Sequence, residues 1–152
     1  MKLIGEEKLL FADEISKTNM FEWTQKRTFV LTDKNIYNIH KKSIKRTIGI
    51  HEIGGLTKTI PPSKSLEFTV HVPAKYDYRF ISNRRDQILD MIKRVFIIHH
   101  KKNCPVFCVT SKNLKDFTTT EKDMNKQVSR FPLAEYRNMQ EDLLDALSTP
   151  GV

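Results

Sequence analysis

The chain has 152 residues, 39% of them hydrophobic, with a formal net charge of +8 and a pI near 9.5. That size and composition suffice for one apolar core, so a single domain with a tail is expected rather than two domains. No apolar run approaches the roughly 18 residues of a transmembrane helix, and the N-terminal MKLIGEEKLLFADE is too acidic for a signal peptide, which predicts an intracellular protein.

The charge is unevenly placed. Residues 1–25 sum to −2 (Lys2, Lys8 and Lys17 against Glu6, Glu7, Asp13, Glu14 and Glu22), and the last twenty sum to −3 (Arg137 against Glu135, Glu141, Asp142 and Asp145). The middle therefore carries the whole excess, and the stretch from Lys26 to Arg46 alone holds seven Lys or Arg against one Asp. Such a surface raises encounter rates with inositol lipids, anionic bilayers, nucleic acid or acidic protein tails, without choosing among them. A solvated face that only keeps the protein soluble is the plainer alternative.

In chain order, Lys8 to Ile15 reads as a first strand and the polar segment Ser16 to Gln25 as a loop. Thr28–Leu31 and Ile36–Ile39 flank the turn Asp33–Asn35, a hairpin built from β-branched and aromatic residues around Asp and Asn. After a turn at Lys41–Ser43, residues Ile44, Arg46, Ile48 and Ile50 alternate on one face of a fourth strand ending near Gly54–Gly55. Leu56–Ile60 gives a short fifth. Beyond Pro61–Ser65, Phe68, Val70 and Val72 alternate with Glu67, Thr69 and His71 in a sixth, and Tyr76–Ile81 supplies a seventh. Seven short strands without an intervening helix predict an antiparallel sandwich or small barrel.

The period then changes. Ser82–Asn83 can cap a helix over residues 84–97, with Asp86 in the capping-box position, and Ile88, Leu89, Ile92, Val95 and Phe96 fall at helical spacing. Leu10, Phe29, Leu31, Ile48, Phe68, Val70, Leu89, Ile92 and Phe96 are the expected core. His99–Asn103 reads as a loop, Val106–Val109 as an added strand, and Leu114–Gln127 has no clear period. Leu133, Tyr136, Leu143, Leu144 and Leu147 suggest a second helix after Pro132, acidic on its outer side. That helix could extend the protein as a docking arm toward a larger assembly, fold back on the basic surface, or complete the core.

Motifs for catalysis and metal binding are lacking in the sequence. There is no phosphate loop, and Gly54–Gly55 reads as a strand-ending turn. Cys104 and Cys108, spaced to share one strand face, read as buried thiols rather than a disulfide or zinc pair. The histidines do not converge: His40 and His51 flank the fourth strand, His71 alternates outward, and His99–His100 lie in a basic loop. A non-catalytic binding module without cofactor or metal is expected.

The order EKLLFADEISKTNMFEWTQKRTFVLTDKNIYNIH, IKRTIGIHEIGGLTKT, LEFTVHV, YDYRFIS and an amphipathic helix resembles the tail homology domain of class I myosins, over about residues 7–98. The most specific pieces are Arg27–Asp33 with Ile36–Tyr37, and Ile50–Leu56. The resemblance implies a pleckstrin-homology-like fold, mainly β with α: a seven-stranded antiparallel barrel or sandwich closed by a C-terminal amphipathic helix. Residues 1–110 would form this domain, and residues 111–152 a polar linker and helical extension. It also implies binding of acidic phospholipids through a Lys after the first strand and an Arg opening the second, which Lys17 and Arg27 match, with Lys26 adjacent. The 152 residues include no motor, light-chain-binding helix or actin-binding tail.

Two binding readings follow. In the first, Lys17, Lys26, Arg27, Lys41, Lys42, Lys45 and Arg46 form a basic rim for phosphoinositides, and Phe21 or Trp23 dips into the bilayer interface. In the second, the domain is a structural docking subunit on an acidic cytoskeletal surface, actin or a microtubule, the axonemal one included. Both predict a cytoplasmic protein at membrane or cytoskeleton, with a cilium among the candidate places. Nucleic acid is disfavoured, because the cations are not interleaved with a stacking platform of aromatics.

Overall fold

The computed structural model describes residues 6–19 and 21–130. Strands β1 (Leu9–Thr18), β2 (Thr24–Thr32), β3 (Asn35–His40) and β4 (Ser43–Gly49) form an antiparallel meander. Strands β5 (Gly55–Thr59), β6 (Glu67–His71) and β7 (Tyr78–Ile81) form a second. Helix α1 (Arg85–His100), strand β8 (Val106–Val109) and a short helix α2 (Glu121–Asn125) follow. The sheet order is β4-β3-β2-β1-β7-β6-β5-β8. β1 joins the halves, pairing with β2 along its length and with β7 at Ser16 and Lys17. The sheet is sandwich-like rather than a closed barrel, with β4 and β8 as its edges. One pairing departs from the antiparallel pattern: β8 runs parallel to β5, from Leu56–Val106 to Thr59–Val109.

One core lies between the halves and α1. Phe29, Leu31, Ile36, Ile48, Phe68, Val70 and Phe80 enter it by strand alternation, and Ile88, Leu89, Ile92, Val95 and Phe96 by one stripe of the helix. Phe29 meets Phe80 edge-on at 5.4 Å between ring centres and Phe11 at 6.3 Å. Of the expected core, Leu10 differs and is only half-buried. A bulge between Leu9 and Phe11 shifts the register, so Phe11 and Ile15 take the inward positions.

Other boundaries also move. The first hairpin is longer than its apolar residues suggest, because polar Ser16–Thr18 still pair with Thr24–Lys26, leaving a turn of only residues 19–23. Ile44 faces away from Ile48 and packs beside Val30 and Tyr37, since Lys45 is an extra residue bulged between the Asn38–Arg46 and Ile39–Ile44 pairs. Tyr76 and Asp77 belong to the turn before β7. His99 and His100 are the last residues of α1 rather than a loop: His99 Nε2 lies 2.7 Å from the Asp33 carbonyl, and His100 stacks on Phe96 and reaches the Ile50 carbonyl at 2.9 Å. At the other end of α1 no side chain caps the first turn. Arg84 N–H donates to Ser82 Oγ at 3.0 Å, while Asp86 meets Arg85 and Lys58 instead of closing a box with Asn83.

The outer face of β6 is the largest departure. Glu67, Thr69 and His71 are buried, His71 completely, so His71 does not point outward. Residues 111–130 lie over this face as a strap. Leu114 N–H donates to Glu67 Oε2 at 3.1 Å, the Thr118 and Thr69 hydroxyls meet at 2.8 Å, and Thr119 N–H donates to Asp77 Oδ2 at 2.9 Å. His71 sits in the same network, 2.9 Å from Asp77 Oδ2 and 2.6 Å from Thr57 Oγ1. Burying polar groups requires such partners. Cys104 is buried as expected, just before β8, whereas Cys108 is partly exposed, and both thiols are free. The proposed helix over 133–147 lies outside the described residues. Leu89, fully inside the helix–sheet contact, provides a test of the core: Leu89→Ala is expected to lower unfolding free energy by about 2–5 kcal/mol, measured by denaturant titration.

Candidate functional site

Three strands run past the end of the apolar core at the side where the β1–β2, β3–β4 and β6–β7 turns gather. Alternation continues there with different residues. Two positions beyond core residues Ile15, Phe29 and Ile48 come Lys17, Arg27 and Arg46, and two beyond Ile36 and Phe80 come Asn38 and Tyr78. The core is thus capped by a layer of three cations, an amide and a phenol.

Tyr78 is the floor of this mouth. Its hydroxyl is hydrogen-bonded with Asn38, and its ring faces two cations, Lys17 Nζ at 5.2 Å and Arg46 Cζ at 4.7 Å. Arg46 also stacks on Tyr76 at 3.8 Å and donates to the Tyr76 and Asp77 carbonyls. Cation–π contacts of this kind hold guanidinium and ammonium groups where no carboxylate does. Arg27 donates to the Lys26 carbonyl at 2.8 Å and to Gln25 Oε1 at 3.2 Å, and its Nε is buried without a hydrogen-bond partner among the described residues. Among those residues no ion pair joins Lys17, Arg27 or Arg46 to a carboxylate.

Desolvation and, for two of the groups, like charges at close quarters move the titrations. Burial, then Arg27 and Arg46, hold the Lys17 ammonium below the usual lysine range. Burial also lowers Arg46, opposed by Tyr76 and Tyr78. His40, one step past the Thr28–Ile39 pair and so across from Arg27, is held below the ordinary imidazole value by desolvation, then by Arg27, Lys41 and Lys45. Desolvation leads in all three, and for Lys17 and His40 the neighbouring cations add to it, a local excess of positive potential that an anion would relieve.

The seven cations singled out in the sequence therefore divide. Lys17, Arg27 and Arg46 converge on the mouth. Lys41, Lys42 and Lys45 are exposed on the β3–β4 hairpin at its rim. Lys26 projects from the opposite face of β2, 4.0 Å from Glu14. Phe21 and Trp23 are 68% and 69% exposed in the β1–β2 turn, their rings 6.1 Å apart. His40, Asn38, Tyr76 and Tyr78 were not singled out; the alternation of Tyr78 with Phe80 was the available signal for one of them. Elsewhere, burial pushes the Cys104 thiol up to about 12, which removes the thiolate a nucleophile needs. Among the described residues no group of three His, Cys, Asp or Glu is placed to hold a metal ion, and no helix is long and apolar enough to cross a membrane.

A strand-alternating sandwich capped by one helix, with a cationic mouth among its turns, is the layout of a pleckstrin-homology-like domain. Residues 1–127 match the family described as "Unconventional myosin tail, actin- and lipid-binding", and the chain belongs to that family. That description does not mention tubulin or a cilium. No curated protein matches the chain.

The chain is similar in structure to a pleckstrin homology domain solved in solution, with TM-score 0.50 and 20% identity over 63% of this chain and 92% of the other. It is also similar to the C-terminal domain of an unknown protein from Leishmania infantum, with TM-score 0.54 and 14% identity over 63% and 89%. Against the DH/PH domain of human ARHGEF11, in a complex with human RhoA and its inhibitor, the TM-score is 0.50 at 7% identity, over 59% of this chain and 29% of that one. At these identities the likeness is one of fold.

The rim has a structural oddity that can be tested. His40 pairs with Ser43, so Lys41 and Lys42 are the two central residues of the hairpin, with φ of 49° and 64°. Positive φ at both positions is the type I′ pattern that favours Asn-Gly. A lysine in the left-handed region is disfavoured, so two lysines here trade stability for charge. The double variant Lys41→Asn, Lys42→Gly is expected to raise unfolding free energy by about 1 kcal/mol or more in thermal or denaturant unfolding, while weakening attachment to any anionic partner.

Proposed function

We propose that the chain is a non-catalytic binding module that attaches to anionic phospholipid membranes through the cationic mouth and its lysine rim. One observation carries this reading: Lys17 and Arg46 meet over the Tyr78 ring with Arg27 close beside Lys17, and among the described residues none of the three is paired with a carboxylate. Burial of unpaired cations is unfavourable in the free protein, and a phosphate group bridging them offsets that cost with charge-assisted hydrogen bonds. Exposed Lys41, Lys42 and Lys45 add long-range attraction of about 1 kcal/mol each near an anionic leaflet. The family description, lipid-binding as well as actin-binding, supports the same reading.

Actin binding is the second reading, favoured by that description alone. Co-sedimentation of the protein with neutral vesicles, vesicles containing phosphatidylserine and phosphatidylinositol bisphosphate, actin filaments and microtubules, each at two salt concentrations, separates the two. The membrane reading expects pelleting with the anionic vesicles alone, weakening as salt rises. Pelleting with actin and not with vesicles would replace it by the docking reading. Lys17→Gln with Arg27→Gln should abolish vesicle pelleting and leave the unfolding midpoint within a few degrees or raised, because the pair removed is mutually repulsive.

His40 gives a pH signature. Desolvation, then the cations around it, hold it low in the free protein, and an anion seated in the mouth favours the imidazolium, so binding raises its pKa. By linkage, affinity then increases as pH falls through the imidazole range. NMR titration of the His40 ring, with and without a soluble inositol phosphate, should show the upward shift. An unmoved titration curve in the saturated protein would place the anion away from the mouth.

A further inference from the structure

The β1–β2 turn is held by polar contacts while Phe21 and Trp23 are left in solvent. Asn19 Oδ1 accepts the N–H groups of Phe21 at 2.9 Å and Trp23 at 3.1 Å, and Asn19 also exchanges backbone bonds with Trp23 and Glu22. Glu22 has φ 64°, a left-handed conformation uncommon outside glycine. Its carboxylate turns back beneath the turn, where Arg79 Nη1 donates to both oxygens at 2.8 and 2.7 Å. Arg79 is almost buried and is braced from behind, its Nε donating to Glu67 Oε1 at 2.6 Å, while Glu67 Oε2 accepts the Leu114 N–H. The turn is thus latched through Arg79 and Glu67 to the strap. Phe21 and Trp23, on either side of Glu22 in sequence, are the residues this latch turns outward.

Burying two aromatic rings in a partner is most favourable when their turn is already ordered, because no loop-ordering cost falls on binding. We propose that Glu22 is a positioning residue, which presets Phe21 and Trp23 as a wedge for the headgroup region of an anionic bilayer; this rests on the membrane reading above. A bilayer is the occupant that fits. Lys17 lies on the strand leading into this turn and belongs to the cationic mouth, so rings and cations reach a surface together, and Trp is at home at the boundary of polar and apolar layers.

The sign of one substitution is decisive. A carboxylate in the leading turn is repelled by an anionic leaflet, so electrostatics alone predict that Glu22→Ala binds about fivefold more tightly. The latch predicts the opposite, a loss of roughly three- to tenfold. Trp23 is the sole tryptophan and reports insertion directly. With the full chain on phosphatidylcholine vesicles containing phosphatidylserine and phosphatidylinositol bisphosphate, wild-type Trp23 emission should shift to the blue and be quenched by brominated lipid. Glu22→Ala should bind more weakly, with shallower quenching, and Glu22→Gln should do the same should the alanine variant fold poorly. In a Phe21→Ser, Trp23→Ser background, Glu22→Ala should weaken binding no further.

Tighter binding with undiminished quenching would overturn the proposal, as would an added loss in the ring-free background. Wild-type protein that pellets with vesicles while Trp23 emission stays unshifted also overturns the wedge, yet leaves the lipid reading standing. Wild-type protein that never pellets with vesicles overturns both.

Discussion

A strand cannot stop alternating where its core stops, and the site of this protein follows from that constraint. β1, β2 and β4 outrun the apolar interior closed by Ile15, Phe29 and Ile48, and the next inward positions have to be filled by something. Apolar side chains there would face water at the open end; Lys17, Arg27 and Arg46 bring their aliphatic stems over the core and their charges toward solvent. The arrangement carries a cost, visible in the lowered titrations of Lys17 and Arg46. Tyr76 and Tyr78 offset part of it with their ring faces, and a bound anion would offset more. Clustered charge at a mouth is thus a stability liability, as functional sites commonly are.

Much of the architecture was legible because it is local. Seven strands, the helix stripe of Ile88, Leu89, Ile92, Val95 and Phe96, and the chemistry of Phe29, Leu31, Phe68 and Val70 all follow from periods of two and 3.6 residues. The cationic site was legible as charge density, and charge density does not distinguish the faces of a strand. Applied to β2, the same alternation that places Phe29 inward places Arg27 with it and turns Lys26 the other way. The bulge at Lys45 was not readable, because one extra residue in a hairpin leaves no compositional mark, yet it turns Ile44 away from the face that Arg46 shares with Ile48.

What the sequence hid is long-range. Glu67, Thr69 and His71 alternate with apolar neighbours as a solvated face does, and their cover comes from Leu114, Thr118 and Thr119, more than forty residues later. A sheet face hidden by a remote polar strap reads as exposed until the strap is placed. The cap of α1 shows the opposite failure. Asn83 and Asp86 carry a plausible local signal, but Ser82 Oγ accepts only the N–H of Arg84, ahead of the helix, and the charged neighbours Arg85 and Lys58 draw Asp86 away. Local propensity yields to tertiary partners when both compete for one group.

β7 ties the two polar systems together. It has four residues, and it sits between β1 and β6 rather than at an edge. Tyr78 points inward to hold Lys17 and Arg46, and the next residue, Arg79, points outward to hold Glu22 and Glu67. Alternation therefore sets the floor of the cationic mouth and the anchor of the aromatic turn back to back on adjacent residues. Any shift of β7 along its neighbours would move both at once, and ladders on both sides oppose such a shift. The orientation of Phe21 and Trp23 relative to the cations is thereby fixed by a strand, not by a loop. A geometry held that way suits recognition of a flat anionic surface, where rings and charges must arrive in one plane.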